Sequence, residues 1–303
     1  MGLISGAIND ALQSIGNGLM NGGDAVLQGG YSMWKSCNEI TTSYITKSPQ
    51  SAPSAWSVVT GGAFTLSLSV AASLAVLFLA MGWVRESIDI RNTFSLENIF
   101  RFFIRFALTA SLLVNSLDLV EAVTDCTTAI VSSVSTDIDG EEELSGAFDS
   151  LKESMEADEE CTGADWLGNG FICLIGGVIG GLVIIVCAVS IVLSVLSRLF
   201  KLLLCIPFAP VAFSGFAGGM GFSQTGISWI KTFLGYALEA VVIALALQIS
   251  FGLFADAALF QIESGTDAVS VILLICNYCM PMITASACVK GADTIVRRCL
   301  GLG

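Results

Sequence analysis

Four stretches of this chain carry no Asp, Glu, Lys or Arg: Ser48–Val84, Trp166–Ser197, Leu202–Ile230 and Ala268–Val289. A bilayer hydrocarbon core of about 30 Å takes roughly 20 apolar residues to cross as a helix, and each stretch reaches that length. The pattern predicts an all-α polytopic membrane protein. Six apolar segments follow from it: Trp56–Trp83, Phe103–Val134, Leu167–Ser197, Leu202–Gly221, Ile227–Ala258 and Ala268–Val289.

Lys and Arg concentrate in cytoplasmic loops, so their placement orients the segments. Arg85, Arg91, Arg101 and Arg105 set the first connection inside. The acidic segment Asp137–Asp165 then lies outside, and Arg198 and Lys201 lie inside. A full crossing by Leu202–Gly221 would carry Lys290, Arg297 and Arg298 outside, against the rule. That segment also holds Pro207, Pro210, Gly215, Gly218 and Gly219, which interrupt a continuous helix. A re-entrant or broken hairpin near residues 202–221 resolves both problems. The expected fold is therefore five transmembrane helices plus that hairpin, N-terminus outside and C-terminus inside. Ten of the 13 Lys/Arg are then cytoplasmic.

The expected divisions are an extracytoplasmic amphipathic segment (1–55), then two membrane helices with a basic cytoplasmic loop (56–134). An acidic outer loop (135–166), further membrane helices (167–289) and a basic cytoplasmic tail (290–303) complete the chain. In the first segment, Ile4, Ile8, Leu12, Ile15 and Leu19 recur at helical spacing, with Asn9, Asp10, Ser14 and Asn17 around them. This predicts an amphipathic helix on the outer interface or on a partner, ended by Gly22 and Gly23. The segment lacks the basic and compact apolar regions of a cleavable signal. No internal repeat is evident, which argues against an inverted-repeat transporter.

Composition narrows the function. Hydrophobic residues at 54% against 13% charged, with a mean hydropathy of +0.80, exclude a soluble domain. The net charge of -13 is local, because 12 of the 26 acids fall in Asp137–Asp165, opposed only by Lys152. That loop reads as solvated and partly disordered. No basic stripe exists to neutralise nucleic-acid phosphates. Histidine is absent, which removes the commonest general base and a favoured metal ligand. No nucleophile–base pair, phosphate loop or ligand cluster stands out, so the chain reads as a non-enzyme without cofactor or metal. Cys276 and Cys279 form a C-x-x-C inside an apolar span and read as packing residues. Cys37 and Cys161 could pair in an oxidising compartment.

Several features invite a function beside a structural reading. Asn115, Asp118, Glu121 and Asp125 share helical spacing in the second segment, with Asp118 about 22 Å beyond Phe103. Asn115 and Asp118 either line an outer polar vestibule or lie where the helix leaves the hydrocarbon. Gly176-x-x-x-Gly180, overlapped by Gly177-x-x-x-Gly181, makes a face for close helix approach, between subunits or within one. The stretch Ser197–Gly219, with Arg198 and Lys201 leading into the prolines and glycines, is a candidate gate or a structural plug. Glu239 lies deep in the fifth segment, about 12 Å from Lys231 along a helix. It pairs with Arg105 or Lys231, or faces a water-filled crevice.

Three passages carry a family resemblance. The first is I-F-R-F-F-I-R-F-A-L-T-A-S-L-L-V-N-S-L-D-L-V-E-A from Ile99. The second is Arg198-Leu-Phe-Lys201 leading to Ala209-Pro210 and the glycine-rich turn. The third is Gly226-Ile-Ser-Trp-Ile-Lys231 followed by Tyr236-Ala-Leu-Glu239. Together they resemble the polytopic membrane subunit of type IV secretion and conjugative transfer systems, the TrbL family. The resemblance implies a multi-pass protein of the bacterial cytoplasmic membrane that forms a homo-oligomer around a pore. Its implied partners are other secretion membrane subunits, cytoplasmic ATPases, the lipid bilayer and a transient DNA or protein substrate. An acidic outer vestibule would repel DNA phosphates. The alternative is a small solute transporter or ion channel, which would need deep polar groups from several spans.

Overall fold

The computed structural model of the chain describes residues 2–87, 96–134, 148–157, 162–219, 221–255 and 268–301. Among these the regular structure is helical throughout, with no strand. Helix α1 (Gly2–Ile45) precedes α2 (Pro53–Val58), a π-helical turn at Val59–Ala63 and α3 (Phe64–Ser87). Next come α4 (Leu96–Val114), α5 (Ser116–Val134), α6 (Asp149–Ala157) and α7 (Gly163–Cys205). A 3-10 turn at Ile206–Phe208, α8 (Ala209–Ser214) and a second 3-10 turn at Gly215–Gly218 lead to α9 (Ser223–Ala255) and α10 (Ala268–Cys299). Four helical runs are long and apolar enough to cross a membrane: Pro53–Arg85, Gly163–Gly218, Ser223–Ser250 and Val269–Cys299. The bent pair α4–α5 is a fifth if it makes one crossing. This is a multi-pass membrane protein.

The described chain forms two compact units. The first contains α1 up to Ser43, α6, the first part of α7, the last third of α9 and α10 up to Lys290. Here the expected stop at Gly22 and Gly23 does not occur, and α1 runs on for 44 residues. The cause is a tertiary contact. A Cβ on Gly16 would collide with the backbone of Trp166, and one on Gly23 with that of Cys173. One on Gly30 would press on the backbone of Gly181. These glycines recur every seven residues and alternate with buried Met20, Leu27 and Trp34. Gly170 and Gly177 of α7 reciprocate against Gly16 and Gly23. The seam lays α1 parallel to α7 at backbone distance, so glycines that would weaken a lone helix are what this pair requires.

Within the acidic loop, the described residues 148–157 include a short helix, α6. Phe148 and Leu151 are buried, and Lys152 donates to Asn21 Oδ1 of α1 at 2.8 Å. Residues 137–147 and 158–161 lie outside the described residues, and so does Cys161 of the suggested disulfide. Cys37 is a free thiol beside Trp34, Ala188 and Ile191.

The second unit contains α2 to α5, the end of α7, α8, the start of α9 and the tail of α10. Its core joins Phe64 and Ala71 of α3, Leu113, Val120, Leu202, Ile206, Phe213 and Phe233. Two expectations change here. The second apolar segment is not one straight span, because α4 and α5 meet at a 65° bend at Asn115. Asn115 Nδ2 donates to Ser111 O at 2.9 Å, the same carbonyl that its backbone N–H uses. Side-chain competition for a ladder carbonyl is a known cause of helix bending.

The fourth segment is likewise not separate from the third, because the helical run of α7 continues to Gly218 before the chain turns back. Helix α7 passes through Arg198 and Lys201 without a break, and Pro207 and Pro210 interrupt hydrogen bonding but not helical dihedrals. The chain reverses only at Gly219 (φ 74°) and Gly221 (φ 109°), where left-handed backbone favours glycine. Helix α9 then returns antiparallel, with Gly215 against Phe222, Gly226 against Ala212, and Trp229 Nε1 donating to Cys205 O at 3.2 Å. That last bond satisfies a carbonyl at the end of α7.

Candidate functional site

Arg198, Lys201 and Glu239 are separate features in the sequence; the second unit brings them into one charged cluster. Helix α7 supplies Arg198 and Lys201, α9 supplies Tyr236 and Glu239, and α10 supplies Asp293 and Arg297. Each pair is three or four residues apart, which puts it on a single helix face. Arg198 is 8% exposed and donates from Nε to Tyr236 O at 2.8 Å and from Nη2 to Ala237 O at 3.3 Å. Asp293 takes Arg297 Nε at 2.7 Å and Lys201 Nζ at 3.7 Å. Tyr236 accepts Arg297 Nη2 at its hydroxyl (3.3 Å), and the ring lies 5.9 Å from Lys201 Nζ and 5.7 Å from the Arg297 guanidinium. These are cation–π distances.

Glu239 is 5% exposed, and its Oε2 accepts no hydrogen bond. The charges acting on it are Lys201, Arg198, Arg297 and the like charge of Asp293. Neither Lys231 nor Arg105, the partners expected from the sequence, is among them. Partners come from packed neighbouring helices, which spacing along one helix does not reveal. The arrangement ties the end of α10 to α7 and α9. It holds no nucleophile poised by a base, and no described group of three His, Cys, Asp or Glu is placed to hold a metal. Tyr236, Asp293 and Arg297 escape sequence reasoning as site residues. The Asp293–Arg297 spacing of four was the one available signal.

The gate candidates fall in the broken run. Pro210, Gly215 and Gly218 are buried, so the irregular backbone is covered by protein, as a membrane interior demands. Gly218 O lies 3.2 Å from where a Gly82 Cβ would stand, a backbone-level contact with α3. At the reversal, a Cβ on Gly219 would stand 3.0 Å from Arg105 Nη1, and one on Gly221 would stand 3.4 Å from Arg85 Nη1.

Asn115 sits at the α4–α5 bend and Asp118 in the first turn of α5, both exposed on the single chain. Neither is joined by a described contact to the charged cluster. Within the first unit, Gly177 and Gly181 approach α1, Gly176 approaches Ile275 of α10, and Gly180 lies between Ile275 and Cys279 of α10 and Leu27 of α1.

Together these features define a multi-pass helical membrane protein with broken helices and a partly buried charged cluster. More particularly, the chain belongs to the TrbL/VirB6 family: the model for "TrbL/VirB6 plasmid conjugal transfer like protein" matches residues 35–210. The match covers Asn115, Asp118, both glycine faces, Arg198, Lys201 and both prolines of the broken run. The reversal and Glu239 lie beyond it. No curated protein and no solved structure matches the chain.

Proposed function

We propose that this protein is a channel or scaffold subunit of a type IV secretion system for conjugative transfer, acting as a homo-oligomer in the bacterial cytoplasmic membrane. The family match over residues 35–210 carries the reading. Its work is passive: cytoplasmic ATPases drive DNA or protein substrate, and other membrane subunits complete the passage. We place the N-terminus outside and the C-terminus inside, on the distribution of Lys and Arg. In this reading the broken run from Pro207 to Gly219 gates, the charged cluster latches the α10 tail beside it, and Asn115 and Asp118 line an outer vestibule. The glycine faces hold each subunit together from within.

The test is deletion of the gene with complementation in trans, scored as conjugative transfer from the strain carrying it. Loss and recovery of transfer support the reading. Unchanged transfer, with no second copy present, overturns it. One observation favours a second reading as a solute transporter: charged groups from three helices meet in the cluster. Solute flux in proteoliposomes, abolished by Glu239→Gln, would establish that alternative.

A further inference from the structure

We propose that Lys201 is a shared cation that exchanges between two carboxylates: Asp293 when the end of α10 is docked on α7 and α9, and Glu239 when that end is released. The inference rests on the reading of the charged cluster as a latch for the α10 tail, and supplies its moving part. In the structure Lys201 Nζ stands 3.7 Å from Asp293 Oδ2, a loose approach beside the 2.7 Å from Arg297 Nε to Asp293 Oδ1. Glu239 is 5% exposed, and its Oε2 is buried without a hydrogen-bond donor. Among the described residues no ion pair includes it. Lys201 leads the positive charges that act on Glu239, ahead of Arg198 and Arg297. One ammonium therefore serves two acids, and the structure pairs it with the more exposed of the two.

The rest of the cluster suits such an exchange. Arg198 is committed elsewhere, with Nε on Tyr236 O and Nη2 on Ala237 O. Lysine carries a compact ammonium on a flexible stem with three rotatable donors, so it changes partner without a fixed fork to satisfy. Helical side chains lean toward the N-terminus of their own helix, so the Lys201 stem runs back toward Arg198. The carbonyls that Arg198 holds precede Glu239 by only three and two residues. On α10, Asp293 and Arg297 are paired with each other, so the tail leaves as a neutral couple. Arg198, Lys201 and Glu239 stay behind, and the buried acid gains the amine that the tail gives up. Removing one partner of a buried pair is costly because it strands the other charge. Here Lys201 keeps a partner in both positions. The unmet Glu239 oxygen costs free energy only while the tail is docked, which offsets the docking contacts and makes the tail a two-position element.

Amide hydrogen–deuterium exchange of the full-length protein in detergent, followed by mass spectrometry on peptides covering Lys290–Cys299, reads how often the tail leaves. Glu239→Gln removes the competing acid, so exchange in the tail should slow by about twofold or more, the low end of coupling between neighbouring charges. Asp293→Asn should accelerate it by a similar factor. In a Lys201→Gln background, Glu239→Gln should have no further effect, because the shared amine is gone. Faster exchange in Glu239→Gln overturns the proposal, since Glu239 would then be a plain anchor for the tail. Unchanged exchange in that variant overturns it as well. So does equal slowing with and without Lys201, which would mean that Glu239 acts on Asp293 by repulsion alone. The sign in the single Glu239→Gln variant decides the matter whether or not Lys201→Gln folds. Exchange unmoved by both Asp293→Asn and Lys201→Gln would remove the latch itself and this proposal with it. The secretion reading, which conjugative transfer tests, would stand apart from that result.

Discussion

Arg198 donates from two nitrogens of its guanidinium to two successive carbonyls of α9, and this geometry is what a lysine cannot copy. Arg198→Lys keeps the charge but reaches one carbonyl at most. The expected loss is about 1.5–3 kcal/mol, the worth of charge-assisted hydrogen bonds, read as a lower melting temperature in detergent. An unchanged melting temperature would show that the fork contributes nothing. The charges around Glu239 give a second prediction at this scale. Lys201→Glu should lower the yield of folded, membrane-inserted protein, and Glu239→Lys in the same chain should restore part of it. Lys231→Glu should gain nothing from Glu239→Lys, because Lys231 is not among the charges that act on Glu239. Equal rescue of both reversals would place the partner wrongly. The coupling sought is modest, about 0.5 kcal/mol or more, since Lys201 and Asp293 are each about a third exposed and partly screened.

Between elements, glycine has opposite consequences a few residues apart. Gly18 and Gly23 both lie in α1, yet a Cβ on Gly18 meets nothing within 4 Å and one on Gly23 runs into the Cys173 backbone. Gly18→Ala should therefore stabilise by about 0.5–1 kcal/mol through helix propensity. Gly23→Ala should destabilise by roughly 1–3 kcal/mol, because α1 and α7 must separate. Thermal unfolding of the two variants side by side reads both signs. Identical shifts would show that the seam does not form. The α4–α5 bend is similarly local. Asn115→Leu removes the side-chain donor to Ser111 O, so the helix pair should straighten. Spin labels at Leu108 and Ser132 should then move apart in pulsed-dipolar spectra. No change would mean that packing around Leu113 and Val120 sets the angle without help from Asn115.

For the whole molecule, the question is which way it sits. Helix α7 alone has 43 residues, about 65 Å of helix against a hydrocarbon core of about 30 Å. Length therefore does not decide where the bilayer lies along it, and charge is the better guide. A fluorescent reporter fused to the C-terminus should be active if that end is cytoplasmic. An alkaline phosphatase fused there should be silent. The reverse outcome would overturn the orientation while leaving the fold intact. It would also separate the gate reading from the family, since the broken run would then open to the other side.

Much was legible in the sequence because membrane insertion is governed by composition over about 20 residues, a quantity local in the chain. The charge-free runs announced a multi-pass helical protein, and soft patterns around Arg101, Asn115 and Arg198 were enough to suggest the family. The prolines and glycines marked the broken run correctly as irregular. They did not show where the chain reverses, because proline removes hydrogen bonds while leaving helical dihedrals open, and only the positive φ of Gly219 and Gly221 turns the backbone. Gly22 and Gly23 read as a helix end because an isolated helix would fray there, whereas α7 packs against that glycine face and stabilises the helix. The partners of Glu239 lie 38 to 58 residues away in the chain, on α7 and α10. Spacing along one helix fixes which side chains share a face. Which face of another helix meets it is set by packing, and so the charged cluster, the glycine seam and the arginine-lined reversal belonged to the tertiary structure alone.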